Sequence, residues 1–579
     1  MPDDAVSSLR PQVLLHEWMR LLFGVLRQLG TQHAVISPGS RNAPLIHGAL
    51  RQAGLHCHSV LDERVAGFFA LGLARASRTP VVLICTSGSA VAHYFPAVIE
   101  AHESGVPLLV ISADRPSRLQ ACGAPQTIDQ VGIFGPFARS LAGWDEASAA
   151  PRALLHFARK IAQLYQLALG PSPGPVHLNV PLDKPLEPWP PSSEVELELA
   201  RHVEATLAAL PTCPAARLVP TGDDLERFVS SFAQTSGSKW ISVGPVEPHI
   251  ARLVPALAAH FGLPVVSELP ALAGALSPDA LARDVARGAH PTPVQALHIG
   301  PPLVSARWTG LVTQRLIEQW VLPGPSYLEP SAVATSILPG ELSLVLEALM
   351  SRAAPALATV AAPANEPASP EATLAELDAP CQPGCMSEPG AVRCVLRSVQ
   401  PHHQLLLANS LSLRLAAWVQ RPGLCRAPAY TSRGANGIDG WIAQASGVAC
   451  ATSTPTLVLL GDVAAAHDLS ALAVARLSKV PLVICVIDNQ GGRIFEHLPG
   501  AQLWPEHLGS DEFFLTPPRV DWTQAAAAYA VPAAVCASLK ELEQALQAAF
   551  ARPGASVVVA RTDPQTTHHF LRAVGEASA

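Results

Sequence analysis

Apolar residues along this chain follow two alternating patterns: short unbroken runs, and longer stretches in which they return every third or fourth position. The stretch 13–29 is of the second kind, with Leu14, Leu15, Trp18, Leu22, Val25, Leu26 and Leu29 at helical spacing and Gly30 placed to end the helix. Unbroken runs at 34–37, 81–86, 107–113 and 176–180 predict buried strands separated by helix-length segments, and a shorter strand at 56–61 precedes a helix at 65–76. The alternation resumes near Leu218. Trp240-Ile-Ser-Val-Gly-Pro reads as strand and turn, 250–261 as a helix, 264–267 as a strand, and 296–300 as a second strand and turn. It resumes once more with strands at 404–409, 456–461, 482–488 and 556–560. Strands alternating with helices predict an α/β fold of three doubly wound domains with parallel sheets.

Two of these segments read as copies. When Val106-Pro107-Leu108 is aligned with Val480-Pro481-Leu482, Leu83 meets Leu457 and Ala92-His93 meets Ala466-His467 without a gap. Ala97 then meets Ala471, and Ala101 meets Ala475. Each copy is a buried strand, a helix, a Val-Pro and a second buried strand, which is half of an open sheet made twice. Such sheets bind ligands outside the carboxyl ends of their strands, so a duplicated one suggests a ligand held between two related domains. Two unrelated strand-helix-strand units sharing common apolar residues remain the alternative.

The domains predicted are 1–190, 191–352 and 386–579, with 353–385, dense in Ala and Pro, as a linker. The proline-rich stretch 181–191 is the exit from the first. The middle domain has no Gly-x-Gly-x-x-Gly fingerprint for a dinucleotide. At 579 residues and 49% hydrophobic, the chain can bury several cores. A net charge of −7 gives no reason to expect nucleic acid as a partner. Residues 1–12 carry Asp3 and Asp4 without an apolar core, unlike a signal peptide, and no apolar run reaches membrane-spanning length. No stable membrane insertion is expected. Eleven cysteines occur without a Cys-x-x-Cys pair; Cys85 and Cys485 lie in apolar strands, and Cys381 and Cys385 flank Gln-Pro-Gly in the linker. A reducing cytoplasm fits that usage.

Candidate chemistry gathers where strands end. The strand at 456–461 runs into Gly461-Asp462, and the strand at 482–488 into Asp488-Asn489-Gln490-Gly491-Gly492. One strand-helix-strand step separates Asp462 from Asn489, which brings both to the same edge of the sheet. A carboxylate, an amide oxygen and the Gly491 carbonyl are hard ligands that suit Mg²⁺, with Mn²⁺ a second choice. Gly491 and Gly492 let the backbone approach a diphosphate. Either turn alone reads as an ordinary strand end; the pair at this spacing argues for a site.

This Gly-Asp…Asn signature resembles the thiamine-diphosphate enzymes, which pair a pyrimidine-binding and a diphosphate-binding domain of one fold. The resemblance requires a glutamate at a strand end of the first copy, and Leu61-Asp62-Glu63-Arg64 supplies Glu63. A carboxyl group in an apolar pocket there would hydrogen-bond the cofactor's aminopyrimidine ring and activate it. Glu63 could instead be a helix-start acid, though Asp62 can fill the capping role.

Further motifs occur in order: Ser37-Pro-Gly-Ser-Arg41, Thr86-Ser-Gly-Ser89, Ala113-Asp-Arg-Pro116, Gly123-Ala-Pro-Gln126, Asn409-Ser410 with Arg414, Ser432-Arg-Gly-Ala-Asn-Gly-Ile-Asp-Gly440 and Asn489-Gln-Gly-Gly-Arg-Ile-Phe495. Together they are similar to the 2-succinyl-5-enolpyruvyl-6-hydroxy-3-cyclohexene-1-carboxylate synthase family, a transferase family that joins 2-oxoglutarate to isochorismate in menaquinone biosynthesis. The resemblance is strong over the first 190 residues and from 404 to 499, and weak between. It implies thiamine diphosphate held by Glu63, Ser87, Gly88, Ile438, Gly461, Asp462, Asn489, Gly491 and Gly492, and a metal held by Asp462, Asn489 and Gly491. It implies substrate contacts from Ser40, Arg41, Arg115, Gln126, Arg307, Asn409, Ser410, Arg414, Arg433, Ile494 and Phe495. Both substrates are dicarboxylates, and guanidinium groups bind carboxylates in bidentate fashion. Each arginine alone reads as a surface ion pair; their clustering in motif loops argues for a pocket.

The resemblance further implies a homodimer or homotetramer with active sites at the subunit interface. His93 and His467, at matched repeat positions, read as structural. Departures are Val463-Ala464 where a hydroxyl residue is usual, Pro125 in place of Asn, and Asp468-Leu469-Ser470 in place of Asp-x-Asn. The alternatives are another thiamine-diphosphate decarboxylase or carboligase, such as an acetohydroxyacid synthase-like enzyme, and a non-catalytic nucleotide-binding protein of the same fold.

Overall fold

A computed structural model describes residues 9–143, 147–270, 272, 275–288, 293–326, 329–353, 385–420, 423–498 and 511–573. The linker at 353–385, Cys381, most of 1–12 and the tail after 573 fall largely or wholly outside them. Among the described residues eighteen strands build three sheets, and their pairings are parallel. The chain divides into two compact units: residues 1–216 with 446–452, and 217–445 with 453–579.

The first unit holds β1 (His33–Ile36), β2 (His56–Ser59), β3 (Val81–Cys85), β4 (Leu108–Asp114), β5 (Leu141–Gly143) and β6 (Val176–Pro181), in the order β2-β1-β3-β4-β6-β5. β3 and β4 are buried at every residue, which is why they read as unbroken apolar runs. The helix Pro11–Gln28 buries Trp18, Leu22, Val25 and Leu26 of the positions its spacing singled out, while Leu14, Leu15 and Leu29 are partly buried. Trp18 packs on Phe157 at 4.5 Å between ring centroids and donates its indole N–H to Ser148 O. The helix Glu194–Ala208, closed by a Ser193/Glu196 capping box, packs into the same core through Leu199 and Val203.

The second unit holds two sheets. One has β7 (Lys239–Val243), β8 (Val265–Ser267), β9 (Val294–Ile299), β10 (Ile317–Leu322) and β11 (Ser336–Ile337), ordered β11-β10-β9-β7-β8. The other has β12 (Met386–Ser387), β13 (Gln404–Leu407), β14 (Ala429–Tyr430), β15 (Thr456–Gly461), β16 (Pro481–Asp488), β17 (Ala533–Cys536) and β18 (Gly554–Asp563). Its order is β12-β18-β16-β15-β13-β14, with β17 pairing to β18. One apolar core runs from Leu297 in one sheet to Leu405 and Leu457 in the other.

The strands absent from the sequence reading are mostly short edge pieces, β5, β11, β12 and β14, too brief to carry a period. β10 is interrupted by Glu318-Gln319, which breaks its apolar run. The helix anticipated at 250–261 is two, Pro248–Ala251 and Val254–Phe261, because Pro255 has no N–H to continue the ladder.

The internal repeat survives with one adjustment. Leu83 pairs with Val110 in β3–β4, but Leu457 pairs with Val483 in β15–β16, one residue off the gapless alignment. A one-residue slip exchanges the faces of a strand, and only strands apolar on both faces tolerate it. Both copies break their helix in the same place: Ser89–Ala92 then Phe95–Ser104, and Asp462–His467 then Leu472–Ala475. His93 and His467 are exposed just before those breaks, so neither fills a core.

Within the described residues all cysteines are free thiols, and no helix is long and apolar enough to cross a membrane.

β4 and β6 carry a buried polar network between them. Ser112 Oγ donates to Asn179 Oδ1 at 2.9 Å, so the Nε2–H of His177, 2.7 Å away, must be the donor to Ser112 Oγ. His177 Nδ1 then has no partner, and burial pushes the imidazole down to about 4. Because the folded value lies below the ordinary 6.5, the unfolded chain takes up the proton first. Stability from the neutral ring is therefore complete above about pH 6.5 and falls as pH drops towards 4, by a total of order 3 kcal/mol. His177→Phe is expected to lower the melting temperature at pH 7.5, through the lost donor, and to flatten its decline between pH 6.5 and 4. An unchanged pH slope in a thermal scan would refute this account.

Candidate active site

In the first unit the predicted residues gather at the carboxyl ends of β1, β3 and β4. The Ser37-Pro-Gly-Ser-Arg41 loop lies against the turn that follows β3: a Cβ on Gly39 would sit 2.4 Å from Thr86 Cβ. Ser40 is exposed, and Arg41 is buried with its guanidinium donating to Leu182 O at 2.7 Å. Asp114, at the end of β4, accepts from Arg115 N–H at 2.7 Å, Gln120 Nε2 at 3.1 Å and Asn179 Nδ2 at 2.8 Å. Those bonds fix the Asp-Arg-Pro turn and aim Arg115, whose guanidinium donates to Ser87 Oγ and, at 3.4 Å, to Gln126 Oε1. Burial, then the nearby Arg115 charge, holds Arg41 below its ordinary value. Ser87, Arg115 and Gln126 thus converge, and Arg41 lies close enough to feel the second guanidinium, as a pocket for a carboxylate requires.

Gly88 holds φ +89 in the same turn, and its N–H donates to Gln130 Oε1 at 2.8 Å. Gln130 in turn donates to Asn179 Oδ1 and Ala113 O. Gln130 and Asn179 were not singled out in the sequence, because nothing local marks a buried amide that reaches across a sheet edge.

Glu63 opens the helix Glu63–Ser77, and Asp62 caps it by accepting from Arg64 N–H at 3.0 Å. Burial, with the Glu63 charge as a lesser cause, raises the Cys85 thiol and the Tyr94 phenol well above their ordinary values, which sets Glu63 beside the end of β3. The enclosing apolar pocket is not complete in this unit. Glu63 is half-buried, and the preceding Leu61 is 81% exposed.

In the second unit, Asp462 and Asn489 stand where β15 and β16 end, 1% and 4% exposed. Asp462 Oδ2 accepts from Gly491 N–H at 2.8 Å, and Oδ1 from Val463 N–H at 2.8 Å. Burial, then the neighbouring Asp488 charge, pushes the Asp462 carboxyl up to about 6. Asn489 Nδ2 donates to Glu388 Oε1 at 3.0 Å, while Asn489 Oδ1 is buried with no partner. A buried acceptor without a donor, beside a desolvated carboxylate, is the environment a cation would correct. The Gly491 carbonyl accepts from Arg493 N–H at 2.8 Å and retains a second lone pair. Among the described residues no group of three or more His, Cys, Asp and Glu could hold a metal. A cation here would therefore draw on one carboxylate plus amide and main-chain oxygens, a hard donor set that fits Mg²⁺.

The glycines have a further cause. Gly491 adopts φ +127, a Cβ there would lie 2.4 Å from Leu515 O, and Gly492 N–H donates to that oxygen at 2.6 Å. They admit the 511–515 segment as well as any ligand. Gly461 caps the helix Asp462–His467.

The remaining predicted residues divide. Asn409 has both amide hydrogens engaged, to Ser432 O at 3.0 Å and Gly437 O at 2.9 Å, and its Oδ1 accepts from Arg433 at 3.2 Å. It thereby clamps the loop that carries Arg433 and Ile438, and any substrate contact must use the second lone pair of Oδ1. Ser410, at φ +71, caps the helix Leu411–Val419 and accepts through its carbonyl from Arg414 at 3.0 Å. Ile438 and Phe495 project with 38% and 39% of their surface open, and Ile494 is half-buried beside Phe495. Arg307 sits in the first turn of Ala306–Thr313, close enough to lower Arg283 after burial has done so. Asp468, noted only as a departure, accepts from Ile442 and Ala443 N–H at 2.7 and 3.0 Å and holds the start of the helix Trp441–Thr452. Glu388 drew no notice, since Ser387-Glu388-Pro389 reads as an ordinary helix start.

Two family models match the chain: "Thiamine pyrophosphate enzyme, N-terminal TPP binding domain" over residues 17–133, and "Thiamine pyrophosphate enzyme, C-terminal TPP binding domain" over residues 416–560. Proteins named 2-succinyl-5-enolpyruvyl-6-hydroxy-3-cyclohexene-1-carboxylate synthase are similar along nearly their whole length. The one from Sorangium cellulosum is 33% identical, covering 94% of this chain and 92% of that protein. The one from Synechococcus sp. is 35% identical, covering 91% of each. The crystal structure of benzoylformate decarboxylase from Polynucleobacter necessarius shares the fold, with a TM-score of 0.72 at 17% identity over 94% of this chain and 98% of that one.

Gly491→Ala is expected to lower stability by about 1–3 kcal/mol, since the new methyl group must displace main chain rather than a flexible side chain. An unchanged melting temperature would mean that the 511–515 segment yields freely.

Proposed function

We propose, from the fact that the chain belongs to the 2-succinyl-5-enolpyruvyl-6-hydroxy-3-cyclohexene-1-carboxylate synthase family of thiamine-diphosphate enzymes, that it decarboxylates 2-oxoglutarate and adds the remaining four-carbon unit to isochorismate, a step of menaquinone biosynthesis. The observation that carries the reading is the buried, partnerless Asn489 Oδ1 beside the desolvated Asp462 carboxylate, a half-made cation site at a sheet edge. When bound, thiamine diphosphate supplies a nucleophilic carbon and an acceptor for the electron pair that decarboxylation releases.

The chain's own groups have distinct tasks. Asp462, Asn489 and the Gly491 carbonyl would hold Mg²⁺ or Mn²⁺, and Gly461 and Gly492 would flank the diphosphate. Glu63 would hydrogen-bond a ring nitrogen of the cofactor and hold the proton that sets its reactive form. Ser87 and Gly88 would line the pyrimidine, and Ile438 would give the cofactor an apolar contact. Arg41 and Arg115, with Ser40, Gln126 and Arg307, would bind the carboxylates of isochorismate, and Ile494 and Phe495 would exclude water from its ring. Asn409, Ser410, Arg414 and Arg433 would hold the 2-oxoglutarate-derived part. Residues 1–190 would then be the pyrimidine-binding domain and 386–579 the diphosphate-binding domain.

Leu61, exposed next to a glutamate that needs an apolar surround, supports a homodimer or dimer of dimers in which a second copy completes the pocket. Free thiols support the cytoplasm as the compartment.

With purified chain, Mg²⁺ and thiamine diphosphate, isochorismate absorbance is expected to fall only when 2-oxoglutarate is present. Glu63→Gln should slow the loss by roughly 10²–10⁴-fold. Release of CO₂ from 2-oxoglutarate at full rate without isochorismate would favour a simple decarboxylase, and absence of cofactor binding in calorimetry a non-catalytic relative. Arg115→Lys keeps the charge and loses the fork, so KM for isochorismate should rise about 10-fold or more with kcat less affected. An unaltered KM would remove Arg115 from the pocket.

A further inference from the structure

We propose that Glu388 is a positioning residue for the metal site: its carboxylate locks the Asn489 amide in the one orientation that points Oδ1 at the cation. The inference rests on the metal reading above and deepens it. Glu388 opens the helix Glu388–Ser398 that follows β12, at the far edge of the sheet, and is 1% exposed. It lies about a hundred residues before Asn489 in sequence, yet its Oε1 accepts from Asn489 Nδ2 at 3.0 Å. Its Oε2 accepts from Thr567 Oγ1 at 2.7 Å, and its own N–H donates to Thr566 Oγ1 at 3.2 Å.

The chemistry of an amide makes this arrangement selective. Asn489 presents a donor end and an acceptor end of nearly equal size, and a half-turn about the last side-chain bond exchanges them. With the donor end outward, a cation would meet two N–H groups instead of an oxygen. In the carboxylate form both oxygens of Glu388 are acceptors, each facing a donor, so the NH₂ end of Asn489 turns towards it. The oxygen is thereby left facing away, and it is the group found buried without a partner. Thr566 and Thr567, on the helix Pro564–Ala573, hold the main-chain N–H and the second carboxylate oxygen of Glu388. The helix after β18, the first turn of the helix Glu388–Ser398 and the end of β16 are thus joined at the cation site. A partner that orients a metal ligand commonly accounts for 10–100-fold in metal affinity.

A purely structural Glu388 would change stability when replaced and leave metal affinity alone. The experiment is a calorimetric titration of Mg²⁺ into the full chain with saturating thiamine diphosphate, comparing the unaltered protein, Glu388→Ala and Glu388→Gln. Glu388→Ala frees the amide to rotate, and the Kd for Mg²⁺ is expected to rise about 10–100-fold. Glu388→Gln can offer its carbonyl to Asn489 and its NH₂ to the Thr567 hydroxyl, so it should restore affinity to within about threefold. At saturating Mg²⁺, cofactor affinity of both variants should match that of the unaltered chain. An Mg²⁺ affinity of Glu388→Ala within about twofold of the original overturns the proposal. If Glu388→Ala fails to fold by circular dichroism, Thr567→Val decides: it leaves the carboxylate in place and removes one anchor. A rise of about threefold or more is expected there, and no change overturns the proposal. Failure of the unaltered chain to bind Mg²⁺ would instead remove the metal reading itself, and this proposal with it.

Discussion

Parallel strands buried on both faces leave polar chemistry only one place to go. β3, β4, β15 and β16 are buried along nearly their whole length, and most of their residues are Val, Leu, Ile and Cys. A polar side chain within those runs needs a partner on a neighbouring strand, as Ser112 has in His177 and Asn179. Functional groups are therefore pushed to the carboxyl ends, where the chain leaves the sheet and main-chain groups come free. Asp114, Arg115, Ser87 and Gly88 in the first unit, and Asp462, Asn489 and Gly491 in the second, all stand at such ends.

Strand ends alone would not hold these groups still. Each unit solves the problem with buried amides and carboxylates whose hydrogen bonds run to the chain itself. In the first unit, Gln130 and Asn179 tie the Gly88 turn to the Asp114 turn. In the second, Asn409 clamps the loop of Arg433 and Ile438, Asp468 holds a helix start, and Glu388 sits behind Asn489. Such groups are costly to bury unless fully satisfied, and these are satisfied, apart from the atoms turned towards the site. Burial pushes Glu388 up to about 7 despite its hydrogen bonds from Thr567 and Asn489.

Glycine usage illustrates how one residue type can be read correctly for an incomplete reason. The Gly491-Gly492 pair was legible as a place of close main-chain approach. What approaches within the chain is Leu515, from a segment whose sequence gives no hint of the contact.

Local pattern was enough to determine the alternation of strand and helix, the parallel sheets, the duplication and the identity of the groups at strand ends, because each is written in residues near one another. The period of apolar positions sets the element, and the element's end sets where Asp462, Asn489 and Arg115 emerge. Only the tertiary structure decided the register slip between the two copies, the short edge strands β5, β11, β12 and β14, and the partners of the site residues. Glu388 meets Asn489, and Gln130 meets Gly88, through side-chain hydrogen bonds that span long stretches of chain. Hydrogen bonds of that kind depend on distance and angle in the folded state, and no local spacing records them.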